Sequence, residues 1–179
     1  VHDESGVWPK AQIMLPMVGF PTEMAHLRGI AEKILDDRSV TDVPIGMMIE
    51  LPRSCVVASQ YAELSDFFSF GTNDLTQTTL GFSRDDAENT FMGKYLEDGL
   101  LATNPFETLD IDGVGGLVEV AVKSVNGQGR NMSFGACGEH GGDPASIHFF
   151  HDVGLDYVSC SPFRIPTARL AAAQAAIKG

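Results

Sequence analysis

Short apolar runs alternate along the chain with longer stretches whose apolar residues recur at helical spacing. Ala11 to Val18 reads as a strand with an irregular end at Pro16. Pro21-Thr22-Glu23 predicts a helix start with Thr22 as its cap, and Met24, Leu27, Ile30, Ala31, Ile34 and Leu35 fall on one face. Pro44 to Glu50 reads as a second strand, Ser54 as the cap of a helix reaching Leu64, and Asp66 to Asn73 as a third strand. Residues 75–130 form the longest connection, with helical character from Leu75 to Leu80 and from Arg84 to Gly99. A turn at Asn104-Pro105-Phe106 follows, then a glycine-rich start to a helix ending near Val125. Met132 to Cys137 reads as the fourth strand. Asp143-Pro144 predicts a capped helix running to Val153. Asp156 to Cys160 reads as the fifth strand and Pro166 to Ile177 as an alanine-rich helix.

Strands alternating with helices imply an α/β fold with a parallel sheet. Five βα units fit either the last part of a (β/α)₈ barrel or an open doubly wound sheet, and residues 1–179 read as one domain portion without linkers. Both architectures gather the C-terminal ends of the strands, and here those ends carry reactive groups. The second strand ends in Glu50, the third in Gly71-Thr72-Asn73-Asp74, and the fourth in Cys137-Gly138-Glu139-His140. Glu50 is either a surface partner of Arg53 or a metal ligand. Two carboxylates on successive strand ends suit a hard cation such as Mg²⁺. Gly71, Thr72 and Asn73 suit an anionic substrate. Cys137, at a strand end among glycines, has the setting of a tuned thiol, with His140 expected at the rim. Cys160 has no adjacent acid or base and reads as structural.

Net charge is −12 and no Lys/Arg cluster occurs, which disfavours nucleic acid and anionic membranes. No apolar run has the length of a transmembrane helix. Three cysteines without framework spacing fit a reducing, cytoplasmic setting. The Asn131-Met132-Ser133 glycosylation triplet then reads as chance. Gly113-Val114-Gly115-Gly116 imitates a dinucleotide loop but follows Asp110-Ile111-Asp112 rather than an apolar strand.

Residues 69–77, SFGTNDLTQ, resemble the signature of the phosphoenolpyruvate-utilising enzymes. IGMMIELPR at 45–53, LGFSRDD at 80–86, CGEHGGDP at 137–144 and the segment from Asp156 to Ala176 extend the resemblance over nearly the whole chain. The resemblance implies the C-terminal five units of a phosphoenolpyruvate/pyruvate-binding barrel. It also implies that Glu50 and Asp74 bind Mg²⁺, that Glu50, Gly71, Thr72, Asn73 and Asp74 contact substrate, and that Cys137 is the general acid. Arg53, Glu139 and His140 are supporting candidates. It further implies partner domains that carry a phosphohistidine and a nucleotide, and a homodimer formed through the barrel. The CGEHGG segment points to members that convert ATP, phosphate and pyruvate to AMP, pyrophosphate and phosphoenolpyruvate. The arginines that bind phosphate on earlier barrel strands have no counterpart here, and the first residue is not Met, so the chain is expected to be an inactive fragment by itself. The alternatives are another member of the same family, or a non-catalytic metal- and oxyacid-binding or dimerisation module.

Overall fold

A computed structural model describes residues 10–129 and 132–178, so Asn131 of the glycosylation triplet lies outside the described residues. Five strands form one parallel sheet in chain order: β1 (Ile13–Leu15), β2 (Ile45–Ile49), β3 (Phe67–Gly71), β4 (Ser133–Cys137) and β5 (Tyr157–Val158). The helices are α1 (Pro21–Asp37), α2 (Pro52–Val56), α3 (Thr72–Leu80), α4 (Arg84–Thr90), α5 (Met92–Glu97), α6 (Gly116–Asn126), α7 (Pro144–Asp152) and α8 (Ile165–Lys178). Strands that follow one another in chain order fit part of a barrel and also an open parallel sheet, and both gather the strand C-terminal ends.

The two faces of the sheet differ in chemistry. Ile45, Met47, Ile49, Phe68, Phe70, Phe134 and Ala136 alternate onto the face that packs against the helices, where they join Met24, Tyr61, Val118, Val122 and Phe150 in the main core. The opposite face carries registered rows of small, polar or aromatic residues. Ser69 pairs with Gly135 and Gly135 with Tyr157, while Gly71 pairs with Cys137. That polar face is what a barrel interior presents, and it leads upward to the strand ends.

At the opposite, N-terminal end of the sheet, two acids repeat one device. The Asp66 carboxylate accepts from Ile45 N (2.7 Å) and that of Asp156 from Phe134 N (2.8 Å). Each carboxylate thereby satisfies an amide within the first two residues of the neighbouring strand. Arg28 joins this end together by donating to Ile45 O and Leu64 O and pairing with Asp66.

Several elements differ from expectation. β1 and β5 are shorter than the apolar runs that suggest them. Thr22 is not a cap: α1 starts at Pro21 after Phe20, and Thr22 lies inside its first turn. Ser54 is inside α2 and donates its hydroxyl to Val18 O (2.7 Å), so it ties the end of β1 to α2 instead of capping. The helix expected to reach Leu64 stops at Val56 and resumes as a 3₁₀ turn at Ala58–Gln60. The third strand ends at Gly71, and Thr72 and Asn73 open α3. Asp143 does cap α7, accepting from Ser146 N (2.9 Å) with Pro144 at the first position. The imitation dinucleotide loop is a π-helical turn (Ile111–Gly115) leading into α6, with Asp110 accepting from Gly113 N.

Candidate active site

The ends of β2, β3 and β4 bring Glu50, the start of α3 and Cys137 together. Glu50 is buried, and its Oε1 accepts from Met17 N at 2.7 Å. Met17 holds this position with φ 54, a left-handed conformation that costs energy for a side chain of its size. Burial raises the Glu50 carboxyl above its ordinary range; the Met17 amide opposes this, and the neighbouring Asp74 charge adds to it. Arg53 does not serve as its counter-ion. Among the described residues it makes no ion pair with Glu50; its guanidinium lies 4.5 Å over the Phe20 ring and donates to Gly19 O and the Tyr61 hydroxyl.

Gly71 shares this corner. A Cβ there would lie 2.5 Å from Glu50 Oε2, so only glycine leaves the carboxylate where it is. Thr72, Asn73 and Asp74 form the first turn of α3, where backbone amides and the helix dipole favour negative charge. Asp74 is exposed and accepts from Gln77 Nε2 (3.1 Å), and Thr78 Oγ1 donates to Asp74 O and Glu50 O, binding α3 to the end of β2. Asn73 Oδ1 accepts from Glu139 N (3.1 Å), which leaves the amide NH₂ available to a ligand.

Cys137 is half-buried, and its Sγ lies 3.6 Å from Phe70 O. Burial is the main cause that pushes its thiol up, with the Glu50 and Asp74 charges adding; a hydrogen bond with Ser69 acts the other way. Ser69 also bonds the Tyr157 hydroxyl, which burial likewise raises. Ser69 therefore lies between the thiol of Cys137 and the phenol of Tyr157, which is itself partly exposed, on the inner face. Sequence reasoning missed both residues. Tyr157 sits in a two-residue strand, and Ser69 looks like an interruption in an aromatic run; the period-two alternation of Phe68, Ser69 and Phe70 was the available signal. Gly135 makes the arrangement possible, because a Cβ there would lie 2.1 Å from the Tyr157 ring.

The segment after Cys137 folds down onto α3. Gly138 has φ 105, a backbone conformation reserved for glycine, and lies against Thr72 and Asn73. Glu139 pairs with Arg164 (3.3 Å) at the surface. His140 is fully buried instead of lying at the rim, with Nδ1 2.8 Å from Thr72 Oγ1 and Nε2 2.9 Å from Pro105 O. Cys160 packs beside Ile147, Ala168 and Ala171, away from these groups. A half-enclosed cavity of about 310 Å³ beside α3–α5 is lined by Phe82, Phe91, Tyr95, Pro105 and Asp110, without Glu50, Asp74 or Cys137, so it is distinct from the site.

No cluster of three or more His, Cys, Asp or Glu side chains among the described residues could hold a metal ion. Two neighbouring carboxylates fit a hard divalent cation that takes its remaining ligands from substrate and water. The mutual repulsion of Glu50 and Asp74 is the feature that such a cation would relieve.

Fold and site together define an α/β domain that presents carboxylates, a helix start and a thiol at the C-terminal end of a parallel sheet. The chain belongs to the PEP-utilising enzymes: the family profile described as "PEP-utilising enzyme, PEP-binding domain" matches residues 4–177. It is 50% identical over 183 residues to the pyruvate, phosphate dikinase of Rhizobium meliloti, covering 99% of this chain and 20% of that protein. It is 48% identical over 180 residues to the chloroplastic pyruvate, phosphate dikinase of Flaveria pringlei, covering 98% of this chain and 19% of the relative. The chain thus spans about a fifth of the length of these relatives. Solved structures with the same fold include RipC from Yersinia pestis (TM-score 0.54, 14% identity, 96% of this chain and 67% of that one). The structure described as citrate synthase variant SbnG matches similarly (TM-score 0.52, 16% identity, 93% of this chain and 63% of that one). Among the described residues no helix is long and apolar enough to cross a membrane.

Proposed function

We propose that residues 1–179 form the phosphoenolpyruvate/pyruvate-binding portion of a pyruvate, phosphate dikinase, and that Cys137 is its proton donor. The observation that carries this reading is the place of Cys137, half-buried at the end of β4 and paired in register with Gly71, which itself abuts the Glu50 carboxylate at the start of α3. Glu50 and Asp74 are the proposed Mg²⁺ ligands, and Gly71, Thr72 and Asn73 the proposed substrate contacts. When bound, the cation supplies Lewis-acid stabilisation to negative charge on the substrate oxygens.

Loss of the phosphoryl group from phosphoenolpyruvate leaves the enolate of pyruvate. Cys137 gives its proton to the methylene carbon: the S–H bond breaks, a C–H bond forms, and a thiolate remains. Ser69 hydrogen-bonds that thiolate and connects it to the Tyr157 hydroxyl, which suits a proton relay. In the opposite direction the thiolate removes a methyl proton from pyruvate. The first turn of α3 orients the anionic substrate through amide donors and the Asn73 NH₂ group.

The proposal extends to phosphohistidine and nucleotide domains and to a homodimer formed through this domain, as the family resemblance implies; the dikinase relatives are about five times as long as this chain. A reducing, cytoplasmic setting is supported by three unpaired cysteines. The test is Cys137→Ala in the full-length protein. Exchange of pyruvate methyl protons with solvent falls by about a hundredfold or more, while Mg²⁺-dependent oxalate binding is retained. Unchanged exchange in an enzyme that is otherwise active removes the proton-donor role. Loss of phosphate dependence in the complete reaction would move the protein to another member of the family.

A further inference from the structure

His140 is a fully buried titratable side chain, and the proton-donor chemistry makes no use of it. Both ring nitrogens are engaged. Nε2 lies 2.9 Å from Pro105 O, a group that can only accept, so Nε2 carries a proton. Nδ1 lies 2.8 Å from Thr72 Oγ1, and that same hydroxyl lies 2.8 Å from Cys137 O. The charged groups around the ring are Asp143 and Glu139, which favour its protonation, and Arg84, which disfavours it together with the dominant effect of burial.

The proton count makes the arrangement informative. A neutral ring protonated on Nε2 leaves Nδ1 as an acceptor. The Thr72 hydroxyl then gives its single proton to His140. A doubly protonated ring donates to Thr72 and directs that hydroxyl to the Cys137 carbonyl. In either state the ring decides where the Thr72 proton points. Thr72 in turn sits between the residue bearing the proposed proton donor and the turn that presents Asn73 and Asp74. The other links across this seam are Asn73 Oδ1 to Glu139 N and the contact of Gly138 with Thr72 and Asn73.

We infer that His140 is a positioning residue that sets the Cys137 segment against the start of α3 through its Nδ1 contact with the Thr72 hydroxyl. The Pro105 contact anchors the far side of the ring and is secondary. This inference rests on the proposed proton-donor role of Cys137 for its catalytic meaning, but the seam itself is a property of the fold.

Two amide substitutions separate the two sides of the ring. Asn reaches the position of Nδ1 and can bond Thr72 in either sense; Gln reaches the position of Nε2 and can bond only Pro105. The test compares His140→Asn and His140→Gln in the full-length protein by two measurements: Mg²⁺-dependent exchange of pyruvate methyl protons, and the rate of Cys137 alkylation by iodoacetamide read by mass spectrometry. His140→Asn stays within about threefold of the parent in both. His140→Gln loses exchange by about tenfold or more, with KM for pyruvate moved less than kcat, and shifts the alkylation rate. Thr72→Val, which removes the hydroxyl but keeps the shape, reproduces the His140→Gln result from the other end of the contact and serves if a His140 variant does not fold. The opposite ranking, or both variants within about threefold of the parent, overturns the inference. If the parent itself shows no exchange, the proton-donor reading fails, and the alkylation ranking still decides the role of His140.

Discussion

Gly71 occupies a place where a methyl group has no room, with Glu50 Oε2 at 2.5 Å and Met48 Sδ at 2.8 Å from a built Cβ. Gly71→Ala must push the carboxylate aside. We expect a loss of Mg²⁺ affinity of about tenfold or more, measured by titration calorimetry with oxalate present, and little change in far-ultraviolet dichroism. Glu50 itself yields a prediction about pH. Its folded pKa is raised, so at neutral pH the metal-free protein holds a desolvated carboxylate that the unfolded chain leaves hydrated. As pH falls through the raised pKa the folded state takes up its proton first and the penalty disappears. Glu50→Gln keeps an oxygen for the Met17 amide and removes the charge. It should raise the melting temperature of the metal-free protein by a few degrees, about 2–4 °C, near pH 7. The gain should vanish below the ordinary carboxyl range. A melting temperature unchanged at pH 7, or a gain that grows toward acid, contradicts this account. Glu50, Asp74 and Cys137 were legible in the sequence because each ends or follows an apolar run. Ser69 and Tyr157 were not, because their meaning comes from register across strands that the chain order does not display.

Elements were read best where local chemistry decides them. Asp143-Pro144 announces α7, and the cap is present with Ser146 as its partner. Asp143→Ala removes that cap and the Ser146 Oγ contact at 2.6 Å, and should cost about 1–2 kcal/mol in urea unfolding. α3 starts earlier than the apolar pattern implies, because Thr72 and Asn73, expected as the end of the third strand, are already helical. Its backbone instead enters the helix directly from Gly71, which aims the helix start at the site. The caps expected at Thr22 and Ser54 fail for a shared reason. Pro21 and Pro52 each set the first helical turn one or two residues earlier, after Phe20 and Leu51. β1 and β5 are short because their apolar runs continue into irregular chain: Met17 turns left-handed to reach Glu50, and Ser159 leaves the ladder after bonding Ala136 O.

At the scale of the whole molecule, stability and chemistry occupy opposite ends of one sheet. Asp66, Asp156 and Arg28 close the N-terminal end, far in chemical character from the carboxylates and thiol at the other. Asp66→Ala should cost about 1–2 kcal/mol of stability and leave oxalate binding by the folded protein unchanged; a loss of oxalate affinity beyond the change in stability would contradict that division. The parallel sheet in chain order is the α/β architecture that periodicity implies; it fits a partial barrel and also an open sheet. Among the described residues β1 and β5 each pair on one side, and Phe163, Leu170 and Ile177 are exposed. We therefore expect the isolated 179-residue chain to show no dikinase turnover and to bind hydrophobic dyes; robust turnover by that chain would refute this.

The claim that joins these scales is that the ends of β2, β3 and β4 make one site. It is tested most directly by a crystal structure of the full-length protein with Mn²⁺ and oxalate, located by anomalous scattering. The account predicts one metal peak between the carboxylates of Glu50 and Asp74, oxalate against the first turn of α3, and the Cys137 thiol facing the oxalate. A metal bound elsewhere, or oxalate out of reach of Cys137, would contradict it.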